Sequence, residues 1–149
     1  MRIENPRQLV QMQKEYLADQ SKYPKKVMVC CGTGCLANGA MKIVDAFRDT
    51  LDKRKVKGFA VEALKETGCH GFCEQGPLVI IEPQGTFYTK VKAKDVEKII
   101  DESIESDTVV DKLLYTDPVK KEKIEHYGEV EFFKHQQRLA LRNLGKIAA

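Results

Sequence analysis

The chain has 149 residues, of which 42% are hydrophobic and 32% are charged, a balance that allows a modest core and keeps the surface polar. Its formal charge of +3 is too small, and its lysines and acids are too evenly mixed, to indicate a nucleic-acid-binding protein. No apolar run approaches the ~18 residues of a membrane span, and the polar N-terminus lacks the apolar core of a secretory signal, so we expect a cytoplasmic protein.

The first half of the chain predicts a helix, a strand and a second helix. Asn5 is placed to cap a helix that begins at Pro6 and continues to about Ala18. In residues 25–30, Val27 and Val29 alternate with Lys26 and Met28, which predicts a strand. After the glycine-rich loop that ends at residue 35, apolar residues at helical spacing predict one long helix; they are Ala40, Val44, Phe47 and Leu51.

The next part of the chain predicts the rest of a sheet and a closing helix. Residues 59–64 alternate weakly and predict a strand, and the continuous apolar run 78–81 predicts a strand buried on both faces. A turn containing Pro83 and Gly85 leads into an antiparallel partner strand, 87–91. Helical spacing then predicts a last helix, with an apolar stripe of Val96, Ile99, Ile100 and Ile104. This order predicts an α/β sandwich of the thioredoxin type with a mixed, four-stranded sheet.

The C-terminal part has a different character. Asp117-Pro118 and the lysine-rich stretch after it predict a turn or linker, and residues 131–143 predict a helix that stops at Gly145. On that helix a basic stripe would be either a solvated face or a docking surface for an acidic partner; it consists of Lys134, Arg138 and Arg142. We therefore divide the chain into an N-terminal helix with its lead-in (1–24), the α/β domain (25–107) and a linker with a helical tail (108–149).

The cysteines are the informative part of the sequence. Five cysteines are many for a reducing compartment, where cysteine clusters more often hold a metal or carry out redox chemistry than form disulfides. Four of them form two close pairs, Cys30 with Cys35 and Cys69 with Cys73. Each pair lies in a glycine-rich loop after a predicted strand, so both loops can lie at the same end of the sheet. Four soft thiolates in two pairs are what an iron–sulfur cluster or a zinc ion requires, and glycine allows main-chain N–H groups to approach the sulfur atoms.

Several alternatives remain open at this point. A Cys₄ zinc-binding interaction module is the main one, although such sites often have C-x₂-C spacings. A dithiol redox enzyme would normally show C-x-x-C, which does not occur here, and the flanking glycines argue against purely structural cysteines. Cys31 could replace Cys30 as the first ligand. His70 could be a ligand, as in Rieske centres, but a lone histidine between two cysteines is more often a hydrogen-bond donor.

These motifs resemble those of the thioredoxin-like [2Fe–2S] ferredoxin family. In that family a four-residue cysteine pair is followed, after a longer gap, by a three-residue pair and then by glycine and proline. The matching residues are Cys30, Cys35, Cys69, Cys73, Gly76 and Pro77. The resemblance favours Cys30 over Cys31 and implies one [2Fe–2S] cluster near the surface, bound by Cys30, Cys35, Cys69 and Cys73. Such a chain carries single electrons at low potential and has no catalytic residues of its own.

The C-terminal part carries a second resemblance. Residues 115–118 and 132–143 are similar to the junction found in the flavin-bearing, NAD-linked diaphorase subunits of complex I relatives and of NAD(P)-linked or electron-bifurcating [FeFe] hydrogenases. This implies a following flavoprotein domain that would bind FMN and NAD(H). The expected partners are that domain and other redox domains or subunits of a hydrogenase or dehydrogenase complex. A homodimer is a further option. We expect neither nucleic-acid binding nor membrane insertion. Leu144 stands where such proteins commonly have cysteine, and we expect the chain to be the first part of a longer subunit.

Overall fold

The core of the protein is one mixed, four-stranded sheet with the strand order β2-β1-β3-β4. The computed structural model describes residues 3–145, apart from two side chains at the end of the first helix. The strands are β1 (Lys26–Cys30), β2 (Leu64–Thr67), β3 (Val79–Glu82) and β4 (Thr86–Tyr88). Strand β1 is parallel to β2 and antiparallel to β3, and β3 is antiparallel to β4. The predicted thioredoxin-like α/β sandwich is confirmed.

In the described part of the chain, five α-helices accompany this sheet. They are α1 (Pro6–Gln20), α2 (Thr33–Ala37), α3 (Ala40–Lys53), α4 (Val96–Ile99) and α5 (Glu131–Lys134). Helix α4 continues as a π-helix over Ile100–Glu105. The apolar stripe of α3 packs on the inward side chains of β1, Val27 and Val29, which are fully buried. No helix in residues 3–145 has the length and apolar character needed to cross a bilayer.

The start of α1 follows the predicted capping pattern. The Gln8 amide donates to Oδ1 of Asn5 over 3.0 Å, while the Gln8 side chain accepts a hydrogen bond from the Glu4 amide over 2.7 Å. These bonds pair amide groups that a helix N-terminus otherwise leaves without partners. The predicted N-terminal helix is therefore confirmed, and it continues to Gln20.

Two predicted elements in the first half of the chain are wrong in position or extent. The single helix predicted after residue 35 is split in two, because Gly39 adopts φ +91°, a left-handed conformation that ends α2 before α3 begins. The strand predicted at 59–64 begins only at Leu64, and Val61–Ala63 form a 3₁₀ turn. Its position is set by pairing with β1, in which Thr67 lies beside Cys30. The chain thus leaves β2 at the point where β1 also ends.

Strand β4 confirms the antiparallel partner of β3, but it ends at Tyr88 and not at the predicted residue 91. All of its residues, Thr86–Tyr88, are buried. The reason is that later parts of the chain cover its outer edge. The Phe87 amide donates to the carbonyl of Glu125 over 2.7 Å, and the Thr89 amide donates to the carbonyl of Leu113 over 2.9 Å.

The C-terminal part, from residue 108 onward, folds back onto the sheet. It forms a small antiparallel hairpin, β5 (Tyr115–Thr116) with β6 (Lys123–Ile124), closed by a turn in which Asp117 Oδ1 accepts bonds from two main-chain amides. Its buried residues belong to the same core as the sheet; they are Val110, Leu113, Tyr115, Val130 and Phe133.

The helix predicted over 131–143 is wrong beyond its first turn. Helix α5 ends at Lys134, and Arg138 then turns back over the rings of Tyr127 and Phe133. Tertiary contacts of this kind override a weak local helix preference. The predicted basic stripe therefore does not form on one helix face.

We expect Tyr88→Phe to lower the free energy of unfolding by about 1–3 kcal/mol, the usual cost of leaving a buried polar group unpaired. The fully buried Tyr88 hydroxyl accepts a hydrogen bond from the Val110 amide over 2.9 Å and lies 2.6 Å from Ser103 Oγ. Phenylalanine removes both bonds and leaves the Val110 N–H without its partner. Urea unfolding of the two proteins at equal m-value measures the change. A loss below about 0.5 kcal/mol, ordinary for a surface substitution, would contradict this role.

Candidate metal centre

Two glycine-rich loops meet at one edge of the sheet. We call residues 30–35 the first cysteine loop and residues 68–76 the second cysteine loop. They follow β1 and β2, which are parallel neighbours, so their carboxyl ends lie side by side. The Cys31 amide donates to the Thr67 carbonyl over 2.8 Å and ties the loops together where they begin.

The loops approach so closely that two glycines have no room for a side chain. A Cβ atom at Gly32 would lie 2.8 Å from Cys69 Cβ, and one at Gly76 would lie 2.7 Å from Cys35 Sγ. A Cβ at Gly34 would lie 3.2 Å from Cys73 Cβ. The main chain of each loop therefore packs against cysteines of the other loop, which is the arrangement that a shared metal centre needs.

The four predicted site cysteines lie together as two pairs. Cys69 Sγ is 3.6 Å from Cys73 Sγ, and Cys30 lies close enough to Cys35 to raise the pKa of the Cys35 thiol. Two thiolates on one tetrahedral metal, each ~2.3 Å from it, are separated by ~3.8 Å, so the second pair already has nearly this spacing. Within residues 3–145, no three or more cysteine, histidine or acidic side chains close around a single ion position. Cys30 and Cys35 are 1% and 0% exposed, whereas Cys69 and Cys73 face solvent.

The thiols of Cys35 and Cys73 favour their protonated form. Burial raises the pKa of Cys35 to about 12, and the hydrogen bond to Cys30 and the Cys30 charge act in the same direction. The hydrogen bond to Cys69, followed by the Cys69 charge, raises the pKa of Cys73. Neighbouring thiolates repel one another, so cations are needed to hold all of them ionised. Iron binding would displace these protons and is therefore favoured as pH rises.

Cys31 lies apart from this network. Its thiol is half-buried beside Glu66, and that carboxylate forms a 2.6 Å ion pair with Arg48. Burial, followed by the charge of Glu66, raises the pKa of the Cys31 thiol. This placement is compatible with a spectator thiol and with Cys30 as the first ligand.

His70 is buried, and both of its ring nitrogens are hydrogen-bonded. Thr67 Oγ1 donates to the Val29 carbonyl and therefore accepts from His70 Nε2, 2.9 Å away. The Tyr127 hydroxyl lies 3.2 Å from Nδ1, which then accepts its proton. Burial, followed by the charge of Arg138, lowers the pKa of His70 to about 4, so the ring is neutral. His70 anchors the second cysteine loop and has no free nitrogen for a metal.

The sequence did not indicate that the C-terminal part contributes to this site. Tyr127 contacts His70 across 57 residues of chain, and Arg138 donates to the His70 carbonyl across 68. No local pattern connects residues so far apart. The aromatic residues between positions 127 and 133 do not reveal this role in the sequence. Only folding brings them next to the second cysteine loop.

Comparisons with known proteins agree with this geometry. The family model for thioredoxin-like [2Fe–2S] ferredoxin matches residues 9–103. A 2Fe–2S ferredoxin from Clostridium pasteurianum is 38% identical over 79 residues, which span 53% of this chain and 76% of that protein. A solved thioredoxin-like [2Fe–2S] ferredoxin from Aquifex aeolicus has a TM-score of 0.55 and 25% identity, and the match covers 61% of this chain and 89% of the other.

One further relative is a subunit of a larger enzyme. The NADP-reducing hydrogenase subunit HndA of Solidesulfovibrio fructosivorans is 32% identical over 91 residues, which cover 58% of this chain. The match spans 49% of that subunit, about half of its length. From the extent of the family match, the fold and the paired cysteines, the chain belongs to the thioredoxin-like [2Fe–2S] ferredoxin family, whose members carry one [2Fe–2S] cluster.

Proposed function

We propose that this chain transfers single electrons through one [2Fe–2S] cluster bound by Cys30, Cys35, Cys69 and Cys73. The observation that supports this most strongly is the pairing of the four thiols between two loops that only glycine allows to approach. Two pairs of thiols suit a centre in which each of two irons takes two protein ligands. When bound, the cluster supplies reversible one-electron chemistry, and all-thiolate ligation gives it a potential on the order of a few hundred millivolts negative.

The chain's own residues would hold the cluster and set its environment. Cys30 and Cys35 lie in the core, while Cys69 and Cys73 lie at the surface, so electrons would enter and leave on the side of the second pair. The Gly71 amide donates to Cys69 Sγ over 3.3 Å. Such N–H bonds stabilise negative charge on sulfur and raise the potential relative to a site that lacks them.

The proposed setting is an NAD(P)-linked hydrogenase or dehydrogenase with several subunits. The likeness to a subunit of an NADP-reducing hydrogenase supports this setting. The partners would then be other iron–sulfur and flavoprotein domains, and FMN and NAD(H) would bind outside this chain. By itself, the chain is expected to carry electrons without oxidising NADH.

Electron paramagnetic resonance of the dithionite-reduced protein, with iron and inorganic sulfide quantified, tests the cluster. We expect about two irons and two sulfides per chain and the signal of a mixed-valence pair. A zinc-binding module would instead be colourless, contain zinc and give no such signal. Protein prepared without oxygen and with ample iron, yet free of inorganic sulfide, would refute the proposal.

A further inference from the structure

The second cysteine loop is held in place by residues that lie outside the family match, which ends at residue 103. Residues 68–72 belong to no helix or strand. Their shape therefore depends on what packs against them, and side chains from the C-terminal part supply those contacts. We call these side chains the tail clamp; its members are Tyr115, Tyr127, Phe132, Phe133 and Arg138.

The tail clamp surrounds Phe72, whose place in the sequence is between the two exposed cysteines. The Phe132 ring stacks on Phe72 with centroids 5.1 Å apart and planes inclined by 21°. Phe133 and Tyr115 contact the same ring edge-on, at 5.4 and 5.2 Å. Stacked and edge-on pairs of this kind stabilise beyond the area that they bury. Phe72 is thus fixed mainly by the C-terminal part.

The tail clamp also fixes His70. The Arg138 guanidinium lies 4.9 Å from the Phe133 ring centroid and 5.2 Å from that of Tyr127, within the range of cation–π attraction. From this position its Nη2 donates to the His70 carbonyl over 3.4 Å. The Tyr127 hydroxyl bonds to the His70 ring. Both the main chain and the side chain of His70 are therefore tied to the C-terminal part.

The contact closest to the candidate ligands is at Gly71. The Phe132 ring lies 3.7 Å from the position of a Cβ atom on Gly71, which has φ +80°. The amide of the same residue donates to Cys69 Sγ. The ring therefore packs on the peptide that carries the N–H group directed at sulfur.

We propose that the tail clamp positions the second cysteine loop, with Phe132 and Arg138 as its two positioning residues. They hold residues 68–73 so that Cys69 and Cys73 stay opposite Cys30 and Cys35. As far as it concerns the cluster, this inference rests on the proposed function. The positioning itself concerns the protein without metal and can be measured independently.

The experiment compares Phe132→Ala and Arg138→Gln with Phe132→Tyr, which keeps the ring, and with Leu139→Ala. Leu139 lies in the same segment and is 82% exposed, so it serves as the matched control. In the metal-free protein, hydrogen exchange of amides 68–73 should accelerate roughly two- to tenfold in the first two variants, as expected for losing aromatic stacking or cation–π attraction. In the loaded protein, a chelator should remove the cluster faster, and its visible circular dichroism should change. Phe132→Tyr and Leu139→Ala should behave as wild type.

Unchanged exchange of residues 68–73 in both Phe132→Ala and Arg138→Gln would overturn the proposal. So would an equal acceleration in β1 and β3, because that would indicate a general loss of stability. Phe132 is 45% exposed. If Phe132→Ala nevertheless does not fold, Arg138→Gln alone tests the proposal. A wild-type protein that takes up no iron and sulfide would refute the proposed function, and the exchange data would still decide whether the clamp exists.

Discussion

Cys35→Ser should abolish or strongly alter the visible and paramagnetic spectra of the reconstituted protein, whereas Cys31→Ser should leave both unchanged. Cys35 is fully buried, and its sulfur lies against the main chain of Gly76. Serine places a harder oxygen there, which binds iron poorly because the soft thiolate is the preferred ligand of iron–sulfur clusters. Cys31 lies beside the Glu66–Arg48 ion pair, so its loss removes none of the four proposed ligands.

The remaining cysteines complete this series. Cys30→Ser should have an effect comparable to that of Cys35→Ser, because both thiols form the buried pair. Cys69→Ser and Cys73→Ser should also lose or strongly alter the cluster. Each variant is reconstituted anaerobically with iron and sulfide, and absorption, spin concentration and iron content are compared. A bleached Cys31→Ser protein together with a coloured Cys30→Ser protein would show that the first ligand is wrongly assigned.

Several predictions that rested on strong local patterns were confirmed. The Asn5 cap determines where α1 begins, and the alternation in β1 and the continuous apolar run of β3 reflect one and two buried faces. The two cysteine pairs were also visible in the sequence, because spacing within a loop is a local property, and their role as ligands stays a prediction. In each case, the residues that determine the structure lie within a few positions of the element that they form.

Predictions that depended on distant partners were wrong. Strand β2 takes its position from its register with β1, and the weak alternation before Leu64 could not show this. Helix α5 is short because Arg138 packs on Tyr127 and Phe133 instead of extending the helix. The break at Gly39 is different, because Asn38-Gly39 is a local signal for the end of a helix.

Alanine in place of Gly32 or Gly76 should prevent cluster uptake without removing any ligand. In Gly32→Ala the new methyl group would lie 2.8 Å from Cys69 Cβ and 2.9 Å from Cys69 Cα. In Gly76→Ala it would lie 2.7 Å from Cys35 Sγ and 3.2 Å from the Cys73 carbonyl oxygen. Both glycines have negative φ, −62° and −71°, so alanine suits their backbone and the conflict is purely one of space.

Because the atoms opposed to these methyl groups include main chain, the two loops can relieve the conflict only by moving apart. Overpacking typically costs about 1–3 kcal/mol, which lowers the population of the closed arrangement by roughly one to two orders of magnitude. Gly128→Ala is the matched control, because a methyl group there meets no atom within 4 Å. Iron, sulfide and spin concentration are measured for all three variants after identical reconstitution. If Gly32→Ala and Gly76→Ala load as fully as Gly128→Ala, then the close approach of the loops is not what brings the four thiolates to a shared centre.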